Sequence, residues 1–482
     1  SMPFFDSPAI AGLASHLRGD PLTVLEPATG ERLADVPSAS PADVDAAARA
    51  ASAAQAEWAA MTFDQRAAVL RRAAERLRSQ ADVFNRCNVQ ECGSTPAKAQ
   101  WEVDASYEQL HAAAGLAAQP YGQLIPSSFP GRTNLWAHVP IGVVAIITPW
   151  NYPLLLAMRS LAPALALGNA VLLKPAVQGS LTGGLLLARI FAEAGLPEGV
   201  LQVLPGEVRT GDALVNHPLV GMVSFTGSTG VGRAIGATCG RLLKKCALEL
   251  GGNNAFIVLD DADVEVAASH GAWASFLHQG QICMQGGRHL VHRRVADAYA
   301  QALAARARAL TVGDPHRQDV HLGPLINAAQ CAKVQQVVDD SLAQGAQLLA
   351  GGRHRGLFFP ATVLAGVTPF MPAFGAEIFG PVAPITVFDS DDELVELVNA
   401  SDYGLSAGLH TANVARGLAL ARRLNTGMVH INDQTVNAEF NVPFGGMGAS
   451  GNGGRFGGTV NAEEFTKSQW ISMVAAPSAY PF

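Results

Sequence analysis

Helix signals dominate the first hundred residues of the chain. Ser40-Pro41-Ala42-Asp43 offers a capping hydroxyl, a proline at the first helical position and an acid in the first turn. Thr62-Phe63-Asp64-Gln65 reads as a capping box that opens an Ala/Leu/Arg-rich helix. At Ile141 the pattern changes. Gly142-Val143-Val144-Ala145-Ile146-Ile147 is an unbroken apolar run ending at Thr148-Pro149, which predicts a buried strand. Similar runs at residues 170–173, 200–204 and 222–225, with helix-compatible stretches such as 181–194 between them, predict an α/β domain built on a parallel sheet. A second alternation starts at Ala255-Phe256-Ile257-Val258-Leu259 and continues to about Phe444, predicting a second α/β domain with the junction near Glu249.

The longest apolar region, residues 154–173, is interrupted by Arg159, Pro163, Gly168 and Asn169, which would be costly at the centre of a bilayer. It reads as a buried helix, a turn and a buried strand. No internal repeat and no low-complexity segment stands out.

Composition narrows the picture further. A chain of 482 residues exceeds one core, and domains of roughly 100 to 200 residues make two or three the expectation. With 49% hydrophobic and 15% charged residues, a large interior is available. The formal net charge of -7 supplies no electrostatic reason to bind nucleic acid. The basic pairs Arg71-Arg72 and Lys244-Lys245 read as solvated helix faces. Six cysteines without a CxxC pair or zinc-like Cys/His spacing read as reduced thiols, and no metal is expected. Ser1-Met2-Pro3-Phe4-Phe5-Asp6 lacks the basic region and long apolar core of a signal peptide, so a cytoplasmic protein is expected.

Candidate chemistry concentrates in two segments. Glu249-Leu250-Gly251-Gly252 places a potential base beside glycine, and Gly280-Gln281-Ile282-Cys283 does the same for a potential nucleophile. Taken singly, neither decides: cysteine is among the most buried residue types, and Glu249 could be an edge-strand acid facing water. Phe225-Thr226-Gly227-Ser228-Thr229-Gly230-Val231-Gly232 is either a plain glycine turn between strand and helix or a pyrophosphate cradle, and it lacks GxGxxG spacing.

Seven segments, in order, carry a resemblance. They are Thr148-Pro149-Trp150-Asn151-Tyr152-Pro153, Leu173-Lys174-Pro175, Phe225-Thr226-Gly227-Ser228-Thr229, the Glu249 and Cys283 segments, Glu377-Ile378-Phe379-Gly380-Pro381-Val382 and Pro443-Phe444-Gly445-Gly446. Through them the chain resembles the aldehyde dehydrogenase superfamily over nearly its whole length. The run His278-Gln279-Gly280-Gln281-Ile282-Cys283-Met284 is similar to bacterial benzaldehyde dehydrogenases and related oxidisers of aromatic aldehydes.

The resemblance implies an α/β architecture. It comprises a Rossmann-type cofactor domain (residues 1–120 and 139–248), an α/β catalytic domain (249–446) and a small β oligomerisation element (121–138 and 447–482), assembled as a homodimer or homotetramer. It implies that the Cys283 thiolate attacks the aldehyde, that the Asn151 amide and the Cys283 backbone N–H hold the oxyanion, and that hydride transfer leaves a thioester. Glu249 would then activate the hydrolytic water. Lys174 matches an adenosine-ribose contact, Ser228 with Gly227 a pyrophosphate contact, and Glu377 a nicotinamide-ribose anchor. Phe379 and Trp150 match the wall beside the nicotinamide, with Leu250 nearby. Val177 stands where many NAD-preferring relatives carry glutamate, so NADP is expected to be tolerated alongside NAD.

Three further departures are Gly230, Asn253 and Arg455. The last occupies the neighbourhood of a glutamate on a proton exit route and puts a second-acid relay in doubt. Tyr152, Ile282, Met284, Phe440 and Phe444 could wall an apolar tunnel for an aryl ring. Arg159 could select a carboxylate-bearing semialdehyde or be a buried structural contact. The expected function is therefore NAD(P)-dependent oxidation of an aldehyde, aromatic by preference, to the acid. Semialdehyde or aliphatic substrates, a CoA-acylating reaction and a non-enzymatic structural role are the alternatives.

Overall fold

Both helix starts read from the sequence carry their caps. Before the helix Pro41–Ala60, the Ser40 hydroxyl accepts from the Asp43 amide at 3.1 Å, while the Asp43 carboxylate accepts from the Ser40 amide at 2.9 Å. At the helix Phe63–Ser79, the Gln65 side chain returns to the Thr62 amide at 3.1 Å. These elements belong to a computed structural model that describes residues 4–7, 10, 12–14 and 16–482. Residues 1–3, where the segment read for a leader begins, lie outside the described residues.

Residues 154–173 resolve as the sequence suggested. The helix Pro153–Ala166 is followed by a turn in which Gly168 takes φ 89, then by the strand Ala170–Lys174. Asn169, a polar interruption of that run, is fully used. Its amide donates to the Ala164 carbonyl at 3.0 Å and the Phe465 carbonyl at 2.8 Å, and its oxygen accepts from the Gly142 amide at 3.1 Å. No helix among the described residues is long and apolar enough to cross a membrane.

Five parallel strands form one sheet, in the spatial order Leu201–Val203, Ala170–Lys174, Val143–Ile147, Val220–Thr226, Lys245–Glu249. Strand order reverses between Val143–Ile147 and Val220–Thr226, and in such sheets ligands bind at the carboxyl ends beside the reversal. The residues that follow those ends are Thr148 to Asn151, Gly227 and Ser228, and Lys174 and Glu249 close their own strands. A second sheet runs Gln347–Ala350, Thr362–Ala365, Val382–Phe388, Gly286–His292, Asn254–Val258, Ser406–His410, Met428–Ile431, parallel except for its first pair. Leu250 to Asn253 join the two sheets, and each sheet buries its own apolar core.

There is also a third, three-stranded sheet. Gly122–Ile125, Thr133–Pro140 and Thr466–Met473 lie antiparallel, with Trp136 opposite Trp470. Both indoles are exposed. One expectation is corrected here: Lys244 and Lys245 do not lie on a solvated helix face. Lys244 sits in the turn after the helix Thr229–Leu242 and donates to the Val215 carbonyl at 2.7 Å, and Lys245 opens an edge strand and donates to the Thr466 carbonyl at 3.1 Å. Both ammonium groups are spent on backbone carbonyls.

Candidate active site

Glu249 ends an edge strand, yet it does not face water. Residues 450 and 451 cover that edge: the Leu250 amide donates to the Ser450 carbonyl at 2.9 Å, and Glu249 bridges Gly451. The side chain is 3% exposed, and neither carboxylate oxygen has a hydrogen-bond partner among the described residues. A buried acid without a partner is costly, which argues for a use beyond packing. Burial pushes its pKa up to about 8, opposed by the positive charges of Arg159 and Arg455 and reinforced by Glu464.

Cys283 lies between the 3-10 turn Leu277–Gly280 and the strand Gly286–His292. His278, Gln279 and Gly280 all adopt left-handed backbone, with φ 50, 58 and 70. A side chain at Gly280 would run into the Gly380 carbonyl, so glycine is required there. Buried glutamines hold the rest of the loop. Gln279 donates to the Gly93 and Pro324 carbonyls at 3.1 and 3.0 Å, and Gln281 accepts from the Ile326 amide at 3.1 Å. Asn254 donates to the carbonyls of Cys283 and Gln285, each at 2.8 Å.

The Glu249 and Cys283 segments meet directly, because a side chain on Gly252 would strike the Cys283 carbonyl. Burial raises the Cys283 thiol to about 12, with Arg159 pulling it down and Glu249 and Glu377 adding to the rise. Asn151, 4% exposed, donates its amide to the Gln281 carbonyl at 2.9 Å, which sets that amide beside the Cys283 loop.

Arg159 lies deep behind these groups. Its Nη2 donates to Thr226 Oγ1 at 3.0 Å, and its guanidinium sits 4.9 Å from the Phe444 ring and 4.6 Å from the Phe456 ring. Arg455 donates to the Pro443 carbonyl at 3.2 Å. Glu464, which sequence reasoning passed over as part of the tail, accepts from the Arg455 amide at 3.0 Å and contributes negative charge at Glu249.

The residues expected to hold a dinucleotide gather at the carboxyl ends of the first sheet. Lys174 is buried and its ammonium makes no hydrogen bond among the described residues; burial lowers its pKa to about 8, with Glu207 opposing. Ser228 is the N-cap of the helix Thr229–Leu242, but its hydroxyl makes no cap bond and it is exposed. Helix amides and a free hydroxyl suit an anionic pyrophosphate. The Gly227 amide donates to the Glu249 carbonyl at 3.0 Å, and Leu250 closes over Gly232.

Glu377 accepts from the Gly252 amide and is mostly buried, which raises its pKa. Trp150 and Phe379 meet edge to face at 5.8 Å, with Phe379 in left-handed backbone at φ 55, an uncommon conformation for a bulky residue. The unpaired ammonium, the uncommitted cap and this aromatic pair fit a nicotinamide dinucleotide. Val177 is half-buried in the 3-10 turn Val177–Gly179 and offers no acceptor side chain. Glu207, close enough to Lys174 to act on it, is an acid in this region that the sequence reading missed.

The aldehyde dehydrogenase family model matches residues 15–471. The chain belongs to that family. It is similar to a benzaldehyde dehydrogenase [NAD(+)] of Pseudomonas putida, 58% identical and covering 96% of both chains, and to a vanillin dehydrogenase of Amycolatopsis sp., 51% identical over 96% of both. Among solved structures it resembles a salicylaldehyde dehydrogenase from Pseudomonas putida G7 complexed with salicylaldehyde, at TM-score 0.93 and 32% identity over 96% of both chains. An NADP dependent enzyme of E. coli matches at TM-score 0.92 and 34% identity, covering 94% of this chain and 95% of the other.

In this aldehyde dehydrogenase, three of the five expected substrate-wall residues come together. Tyr152 and Ile282 are buried with Leu156, and Met284 packs on them together with Leu155, Leu277 and Val436. Of the other two, Phe444 lies against the Arg159 guanidinium and bridges Phe456, and Phe440 is half-buried outside that apolar group. Tyr152 also meets Trp101 edge to face at 6.1 Å and His278 at 5.4 Å. Trp101 lies on the helix Pro96–Leu116, far from every matched segment, so no motif pointed to it.

Proposed function

We propose that this aldehyde dehydrogenase oxidises aromatic aldehydes to the corresponding acids with NAD or NADP, through a covalent thioester on Cys283. The observation that carries the reading is the convergence of Cys283, Asn151 and a buried, unpaired Glu249 beside the carboxyl ends of the first sheet. Cys283 sulfur bonds to the carbonyl carbon, and the oxyanion faces the Asn151 amide and the Cys283 backbone N–H. A bound nicotinamide supplies the hydride acceptor. Lys174, Ser228 and Glu377 would hold that dinucleotide, and the Trp150–Phe379 pair would wall its reactive ring. Glu249 then takes a proton from water, which displaces Cys283 from the acyl carbon and releases the acid.

The aromatic preference is supported by relatives named for benzaldehyde, vanillin and salicylaldehyde and by the apolar group around Tyr152. Arg159, held by Thr226 and two phenylalanine rings, is committed elsewhere than to a substrate carboxylate. A kinetic panel of benzaldehyde, hexanal, betaine aldehyde and succinate semialdehyde tests the assignment. Benzaldehyde is expected to show the highest kcat/KM, by about tenfold or more, which corresponds to about 1.4 kcal/mol. A clear preference for succinate semialdehyde or betaine aldehyde rejects it.

Val177 bears on the choice of cofactor. Replacing it with glutamate adds an acceptor for ribose hydroxyls and a charge that repels a 2′-phosphate. Val177→Glu is expected to raise the NAD/NADP ratio of kcat/KM by about tenfold or more; an unchanged ratio sinks the idea. We further infer a cytoplasmic homo-oligomer paired through the exposed third sheet, whose outer strands leave backbone groups free to pair. The six free cysteines accord with a reducing compartment.

A further inference from the structure

We propose that the buried Lys98–Glu102 ion pair is the positioning device of the oxyanion site, fixing the backbone of residues 151–155 so that the Asn151 amide stays in register with Cys283. The inference rests on the reading above that Asn151 holds the oxyanion. Both charged residues lie on the helix Pro96–Leu116, one turn apart, at 2.6 Å from each other and 3% and 0% exposed. A buried pair is weak evidence for stability, because desolvation can exceed the attraction it gains. Its other bonds give it a purpose.

An ammonium has three protons, and Lys98 has three acceptors: Ser94 Oγ at 3.1 Å, Glu102 Oε2 at 2.6 Å and the Asn151 carbonyl at 2.6 Å. Glu102 Oε2 also accepts from Asn88 at 2.6 Å, while Oε1 accepts from the Leu155 amide at 3.1 Å. That last bond answers a local deficit. The helix Pro153–Ala166 begins after Tyr152, which supplies no side-chain cap, so its first turn takes an acceptor and a favourable negative charge from the neighbouring helix.

One ion pair thus grips both ends of a five-residue segment. Between them the Tyr152 ring lies 4.1 Å from the Lys98 ammonium. Beyond them, the Asn151 side chain reaches the Gln281 carbonyl, two residues before the nucleophile. Neither Lys98 nor Glu102 touches the reacting atoms; they act through Asn151.

Lys98→Met is the direct test, and Lys98→Met/Glu102→Gln, which leaves no buried charge alone, is its companion and decides if the single variant does not fold. With benzaldehyde and NAD, the single-turnover rate of NADH formation is expected to fall about 100-fold, the scale of a misplaced oxyanion donor. The KM for NAD should stay within about twofold and the iodoacetamide labelling rate of Cys283 within about threefold, readouts that a general loosening of the fold would move. In an Asn151→Ala background, Lys98→Met should cost less than about threefold more, because coupled residues are non-additive. A folded variant whose single-turnover rate lies within about threefold of the parent overturns the proposal, as do losses that multiply in the Asn151→Ala background. A parent protein that oxidises no aldehyde overturns the functional reading itself, a result distinct from variants that match an active parent.

Discussion

Replacing Cys283 with alanine is expected to abolish aldehyde-dependent NAD(P)H formation, lowering kcat by at least ~10⁴-fold while dinucleotide binding persists. The size of the effect follows from the geometry. Cys283 is the only cysteine at the meeting of the Glu249 segment and the Asn151 amide; the remaining five lie on other segments, so none can substitute. The change removes one sulfur from a loop held by backbone glycine geometry and by Gln279, Gln281 and Asn254, so the fold should survive it. Rapid-mixing absorbance at 340 nm, paired with cofactor titration by fluorescence, separates the two quantities. Steady turnover by the alanine variant within about tenfold of the parent would remove Cys283 from the reaction.

Glu249→Gln is expected to separate acylation from hydrolysis. One equivalent of NAD(P)H should form per active site in a burst, after which steady turnover falls by about 10² to 10⁴, the usual range for losing a general base. A lost burst with the steady rate preserved would contradict the assignment. The pH dependence has a definite sign. The Glu249 carboxyl is raised from an ordinary value of 4.5 to about 8, and only its deprotonated form acts as base, so steady turnover should rise with pH through about 8.

The same raised value sets a stability trend. The folded protein holds a proton that the unfolded chain has lost between pH 4.5 and about 8. The contribution is therefore fully present below 4.5 and lost as pH climbs through about 8. At alkaline pH the buried carboxylate costs on the order of 5 kcal/mol, which the glutamine variant avoids. Relative to the parent, Glu249→Gln should gain in Tm as pH increases from 5 to 9. A constant difference across that range would show that Glu249 ionises normally.

The strands and their parallel order were readable because fully buried strands leave unbroken apolar runs, as at Val143–Ile147 and Ala170–Lys174. Glu249, Cys283 and Asn151 were readable because each sits in a short segment whose glycines or prolines are fixed by close backbone approach, as Gly252 against Cys283 illustrates. Partners contributed by distant helices and tails were not. Lys98, Glu102 and Trp101 lie on a helix that carries none of the matched segments, so nothing in its sequence shows what it packs against. Glu464 looked like tail. The contact of Phe444 with the Arg159 guanidinium was equally hidden, because sequence carries no sign of which buried cation a ring will meet.

The tail has a consequence of its own. Residues 464–466 return to the first sheet before the strand Thr466–Met473 leaves for the exposed one. Glu464 lends charge at Glu249, the Phe465 carbonyl receives Asn169, and the Thr466 carbonyl receives Lys245. This stretch is thus a seam that ties the tail to the first sheet. Cutting it would open three joints at once: the charge beside Glu249, the turn that launches the strand Ala170–Lys174, and the anchor of the edge strand Lys245–Glu249.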